Sequence, residues 1–153
     1  MKMTRIIGVS LALLFLGQPA LAGEEPADAG PTLYERMGSW EGIDKIVADT
    51  IALHQENDEI KDIFEGVDLE NLHTHVTAFF AMGTGGPNKY EGRDMTTAHA
   101  PLGLTEADFD AAVSDVLKAV AMNVEDEAVA DEVNAILQSL RPAVMGTVSP
   151  TGG

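Results

Sequence analysis

The sequence predicts an all-α domain. Apolar residues recur at three- and four-residue intervals along successive segments. Two Thr-x-x-acid caps open segments of this kind, and no stretch alternates apolar and polar residues as a half-buried strand would.

The first 22 residues read as an export signal rather than as part of the fold. Lys2 and Arg5 make a positive start, Ile6 to Leu16 form a short apolar run, and Ala20-Leu21-Ala22 is a small-x-small cleavage site. That run is shorter than the roughly 20 apolar residues a bilayer span needs, which makes a permanent membrane anchor the weaker reading. Residues 23–31 (GEEPADAGP) hold too little apolar surface to order themselves and are expected to form a flexible leader. The domain is expected over residues 32–141.

Thr32-Leu33-Tyr34-Glu35 fits a capping box, and the short helix it opens should end near Gly38. Ile43, Ile46, Val47 and Ile51 place a second helix at about 41–55. Ile60 to Phe64 is apolar but short and is closed by Gly66, which allows one or two turns. In the segment 69–82, Leu72, His75, Val76, Phe79 and Phe80 stand at i, i+3, i+4, i+7 and i+8 of one helix face. Gly83 to Asn88 breaks that helix, and a short helical stretch around 93–99 is limited by Pro101. Thr105 to Asp108 caps a long helix bearing Phe109, Ala112, Val113, Val116, Leu117 and Val120, interrupted at Asn123. A last helix at about 125–140 carries Val129, Val133, Ile136, Leu137 and Leu140, and Pro142 is expected to help stop it. Residues 142–153 are expected to be a disordered tail.

The composition excludes several functions. The formal charge is −16, and it becomes −18 when Lys2 and Arg5 leave with the signal. So acidic a chain repels phosphate backbones and anionic lipid, which argues against nucleic acid and against a membrane partner once the signal is removed. With no cysteine, thiolate chemistry and zinc-thiolate sites are absent, and stability must come from an apolar core or a bound cofactor. There is no phosphate-binding glycine loop followed by Lys-Ser/Thr, no HExxH and no serine elbow. Glu125 to Glu127 lie where a helix start favours negative charge.

Four histidines carry the remaining chemistry. His54 shares the face of Ile43, Val47 and Ile51 near a helix end and is expected to be partly buried. His73 points about 100° away from His75 and should be solvated. His75 stands within the apolar stripe. His99 follows Met95 and Ala98 in a short turn that can present it to a cavity. Taken singly, each is as well explained as a hydrogen-bonded core residue. Together, His75 and His99 on separate helices, across a space lined by Ile51, Val76, Phe79 and Phe80, offer the two imidazoles that bis-histidine iron chemistry requires. Zinc is less favoured, because no third or fourth ligand is evident.

Four stretches carry a resemblance: 32–38 (TLYERMG), 64–68 (FEGVD), 85–95 (GGPNKYEGRDM), and Ala98-His99 with 102–105 (LGLT). In order and spacing the chain resembles group 1 truncated haemoglobins from about Thr32 to Arg141. The resemblance implies a two-over-two helical globin sandwich around haem b (iron protoporphyrin IX), with His99 as the proximal iron ligand. It also implies that Leu72, His75 and Val76 line the distal side, with Phe79 and Phe80 near the porphyrin. Ile51, Phe64, Met95 and Leu104 complete the expected haem contacts. His75 matches a position from which some relatives ligate iron a second time.

The chain departs from the family at three places. Thr50 and Ile51 stand where Phe-Tyr is usual, Val76 stands where glutamine is frequent, and Ser39 replaces the second glycine of a Gly-Gly turn. Two hydrogen-bond donors to a bound gas are thereby lost, each worth about 1.5–3 kcal/mol. The expected function is binding of a diatomic gas (O2, NO or CO) at haem iron held by His99 and, without exogenous ligand, by His75. The alternatives are bis-histidine electron transfer with a redox partner protein and a haem-free globin-like interaction module. Nitric-oxide dioxygenation or peroxidase-like chemistry is the enzymatic variant. The expected location is periplasmic or secreted.

Overall fold

The computed structural model describes residues 30–147, so the segment read as an export signal, most of the expected leader and the end of the expected tail lie outside the described residues. Six α-helices follow one another: α1 (Leu33–Arg36), α2 (Ser39–Glu56), α3 (Leu69–Gly83), α4 (Met95–His99), α5 (Glu106–Asn123) and α6 (Glu127–Val144). One 3-10 turn, Lys61–Phe64, lies between α2 and α3, and another, Ala100–Leu102, follows α4. No strand occurs among the described residues.

The helix starts follow from their caps. Thr32 Oγ1 accepts from the Glu35 amide at 3.2 Å, while Glu35 Oε2 accepts from the Thr32 amide at 2.7 Å, closing the predicted box. Thr105 and Asp108 repeat this at α5. Asp68, Asp94 and Asp126 cap α3, α4 and α6 with their side chains.

The turn from α1 into α2 needs glycine at two places. Gly38 takes φ +87°, and a Cβ on Gly42 would stand 2.0 Å from the Met37 carbonyl oxygen. Between them, Ser39 adopts φ 58°, the one non-glycine residue with positive φ among those described. The turn geometry is therefore kept at a serine, at a cost of about 1–2 kcal/mol for the left-handed conformation.

The buried face of α2 (Ile43, Ile46, Val47, Thr50, Ile51 and His54) packs on α5 and α3, and α5 packs on α6. The helix pair α2/α3 thus lies over the pair α5/α6, the two-over-two arrangement. Ile43, Ile46, Val120 and Val129 are fully enclosed, and each such side chain contributes about 1.5–3 kcal/mol of burial. Arg36 fastens α1 to α6, donating to Asp126 Oδ2 from Nε (3.2 Å) and Nη2 (2.8 Å) and to Glu132 from Nη1.

The expectation that the last helix stops near Leu140 with the help of Pro142 is corrected: α6 runs through Pro142 to Val144. Proline removes one amide near the helix end but keeps helical φ. The missing amide would have met the Gln138 carbonyl, while past the proline the Arg141 carbonyl still accepts from the Met145 amide at 2.8 Å and the Pro142 carbonyl from the Thr147 amide at 2.9 Å.

Candidate functional site

α4 packs against α6, whereas α3 lies against α2 and not closely on α4. The apolar stripe of α3 and the histidine of α4 therefore border a gap. In α4, Asp94 caps the first turn, accepting from the Thr97 amide at 2.9 Å and the Thr97 hydroxyl at 2.6 Å. These bonds hold the Asp94 carboxyl below its ordinary range. One turn later, His99 Nδ1 lies 2.8 Å from the Met95 carbonyl oxygen. A carbonyl can only accept, so Nδ1 bears the hydrogen and Nε2 keeps its lone pair. Met95 thus contributes its backbone carbonyl, its side chain is half-buried, and Leu104 is half-buried just beyond.

On the other side of the gap, Leu72, Val76, Phe79 and Phe80 are all half-buried. Phe79 and Phe80 line a small recess of about 20 Å³ with Gly83 and Thr84 of α3's end and Val133, Ile136, Leu137 and Leu140 of α6. The α6 residues were legible as a helix face but not as a lining, because periodicity says which residues share a face and not what that face meets. Ile51 is 8% exposed and belongs to the core beneath this wall. Phe64 is half-buried and stacks on His54, ring centroids 5.0 Å apart at 21°.

His75 is exposed, and its ring meets the edge of Tyr90 at 6.3 Å; Tyr90 in turn meets Phe79 edge-on at 5.2 Å. Tyr90 was missed in the sequence because it lies in the irregular loop after α3, where no period points to it. Its hydroxyl donates to the Arg93 carbonyl at 2.8 Å and is thereby committed to the loop. A Cβ on Gly92 would stand 2.3 Å from that ring, so the loop closes on tyrosine only with glycine there.

The expectation that His73 is solvated is corrected. It is half-buried, with Nε2 3.1 Å from the Asp44 carbonyl oxygen of α2, which again requires a donor. That contact lies off the gap and makes His73 part of the α2–α3 packing.

A haem presents flat apolar faces, an iron that wants an imidazole lone pair, and two carboxylates. The residues present fit each demand. His99 offers Nε2, and the half-buried stripe of α3 offers apolar cover, as does the lining from α6. The described residues also include two basic side chains outside every ion pair, Lys89 and Arg93, both on the loop that leads to α4. Arg36, Lys45, Lys61, Lys118 and Arg141 are each held by carboxylates.

Comparison with known proteins agrees. The profile of the family described as "Bacterial-like globin" matches residues 32–146. The group 1 truncated hemoglobin of Synechocystis sp. is 34% identical over 105 residues, 65% of this chain and 85% of that protein. The group 1 truncated hemoglobin of Tetrahymena pyriformis is 26% identical over 115 residues, 75% of this chain and 95% of that protein. Among solved structures, the Fe(III) form of the Tetrahymena pyriformis protein superposes with a TM-score of 0.71 at 26% identity, covering 75% of this chain and 98% of that one. The 2/2 hemoglobin of Synechococcus sp., in the cyanomet state with covalently attached heme, gives a TM-score of 0.71 at 26% identity, covering 76% and 99%. With its helices in the two-over-two order and residues suited to haem b, the chain belongs to the bacterial-like globin family, among relatives that are group 1 truncated hemoglobins.

Proposed function

We propose that His99 Nε2 would hold the iron of haem b, that His75 would be a second iron ligand when no exogenous ligand is bound, and that the protein reversibly binds a diatomic gas. The observation that carries this reading is the bond from His99 Nδ1 to the Met95 carbonyl, which holds the tautomer a metal needs and aims the ring from a short, capped helix. Bound haem supplies an iron centre that accepts a gas molecule and exchanges one electron.

The chain's own residues decide what happens around that centre. Leu72, Val76, Phe79 and Phe80 exclude water from the distal face. Ile51 and Val76 have no polar hydrogen, and the Tyr90 hydroxyl is already given to Arg93, so within the stripe of α3 His75 is the side chain able to donate to a ligand or to bind iron. Its imidazole has no hydrogen-bond partner among the described contacts, and it sits on the stripe at a helical position shared with Leu72 and Phe79.

Electron transfer to a redox partner is the second reading, favoured by the loss of both usual distal donors. Optical spectra separate the two: a low-spin six-coordinate spectrum that carbon monoxide converts readily supports gas binding, and one that resists carbon monoxide supports electron transfer. His75→Leu should give a five-coordinate or water-bound iron; an unchanged low-spin spectrum would remove His75 as a ligand. We also infer export to the periplasm or beyond, from the positive start, apolar run and Ala-Leu-Ala site of the first 22 residues. Secreted protein whose first residue is not Gly23 would contradict that cleavage.

A further inference from the structure

One buried polar cluster lies outside the residues assigned so far. Asp115 stands in the middle of the apolar face of α5, between Val113 and Val116, and is 1% exposed. Three donors converge on it, two from the end of α2 and one from the next turn of α5. His54 Nδ1 lies 3.2 Å from Oδ2, Asn57 Nδ2 donates to the same oxygen at 2.8 Å, and Lys118 Nζ donates to Oδ1 at 3.0 Å.

A buried carboxylate is costly unless hydrogen-bonded, and here each oxygen is provided for. Desolvation alone would raise the Asp115 carboxyl, but the bonds from Asn57, Lys118 and His54 outweigh it and hold the group below its ordinary 3.8. It is therefore ionised and can only accept, so His54 carries its hydrogen on Nδ1. The ring is fixed in one tautomer and one plane.

The other partner of that plane is Phe64. Near-parallel stacking of the two rings at 5.0 Å leaves Phe64 little freedom on that side, while the phenyl is only half-buried and keeps surface for a further contact. His54 is one turn beyond Ile51 on α2, and Ile51 and Phe64 are both among the haem contacts that the family resemblance implies. We propose that His54 and Asp115 are positioning residues for the haem site, clamping the ring of Phe64 so that its free surface is presented to the haem. This rests on haem occupying the gap bordered by His99.

The charged groups that meet His54 are few. Asp115 faces it from α5, with Lys118 bridging to the far oxygen; Asn57 and Phe64 supply neutral contacts from the turn after α2. Asp58 and Lys61 are paired with each other at the surface. Any titration of the ring is therefore read against one carboxylate.

The test uses the full mature chain, apo and haem-loaded. In apo protein, imidazole nitrogen shifts should show His54 protonated at Nδ1 and bare at Nε2 at neutral pH. In haem-loaded protein, His54→Ala and Asp115→Ala should each speed haem loss roughly two- to tenfold, the range of one aromatic contact. Combined with Phe64→Ala, neither should add further. Asp115→Asn, which keeps an acceptor oxygen, replaces Asp115→Ala if that variant does not fold. In the ferric protein the haem-methyl shifts should move with the midpoint of the His54 shifts, and that step should vanish in His54→Phe. Haem loss that adds fully to Phe64→Ala, or haem-methyl shifts blind to the His54 titration, would overturn the proposal and leave haem binding intact. A wild-type chain with no Soret band after haem addition would instead overturn the haem reading itself, and the proposal with it.

Discussion

Deleting the carboxylate of Asp115 should be the most damaging single truncation of a polar side chain in this domain. Asp115→Ala removes the acceptor of the buried His54 Nδ1–H, at 3.2 Å, together with the bonds from Asn57 and Lys118. Breaking a fully buried pair costs about 3–5 kcal/mol. Here the Lys118 side chain is 59% exposed and regains water at once, and Asn57 is half-buried, so the loss should be about 2–3 kcal/mol. For a domain of this size that lowers the melting temperature by roughly 6–12 °C.

The assay is urea denaturation of the apo-protein at pH 7, followed by far-ultraviolet circular dichroism, with haem omitted so that ligand binding does not mask the change. A loss under about 0.5 kcal/mol, the value of an exposed pair, would refute the reasoning. The same cluster sets a pH dependence. Burial holds His54 below its ordinary 6.5, so the unfolded chain takes up its proton first and stability falls as pH drops below 6.5 toward the lowered folded value. Asp115 has a lowered folded value too, so its contribution is present above 3.8 and is lost as pH falls through the folded value. In His54→Phe the loss of stability just below pH 6.5 should shrink.

Two further substitutions test other parts of the account. Ser39→Gly relieves a left-handed serine at φ 58° and, after the extra entropy of glycine in the unfolded chain, should stabilise the protein by about 0.5–1 kcal/mol in the same denaturation experiment; a loss of stability would mean the serine side chain contributes something not visible in its backbone angle. Ile51→Tyr places a hydroxyl where the resemblance expects a distal donor, and in a His75→Leu background stopped-flow measurements should find dioxygen dissociation slowed about 10–100-fold, the worth of one charge-assisted bond; an unchanged rate would place residue 51 out of reach of the ligand.

Much of the fold was legible because it is local. The capping boxes at Thr32 and Thr105 and the stripe Leu72-His75-Val76-Phe79-Phe80 depend on residues within two turns of each other, and the helices begin and run where these signals place them. Pro142 misled because proline keeps helical φ: it costs the Gln138 carbonyl one amide donor, and α6 still runs two residues beyond it. The site was legible in its residue types and in the family resemblance, yet its construction was not. Asp115 and His54 are 61 positions apart, His73 reaches a carbonyl 29 positions earlier, and Tyr90 comes to His75 from an irregular loop. Helical periodicity holds no information on such pairings, and an aspartate among valines looks, in one dimension, like an ordinary solvated position.

The central claim, that position 99 holds the iron, is tested most directly by the optical spectrum of haem-loaded His99→Gly with and without added imidazole. The account predicts that the wild-type proximal signature is lost in the variant and returns when imidazole fills the space left by the side chain. A His99→Gly spectrum that matches the wild type without imidazole would contradict it.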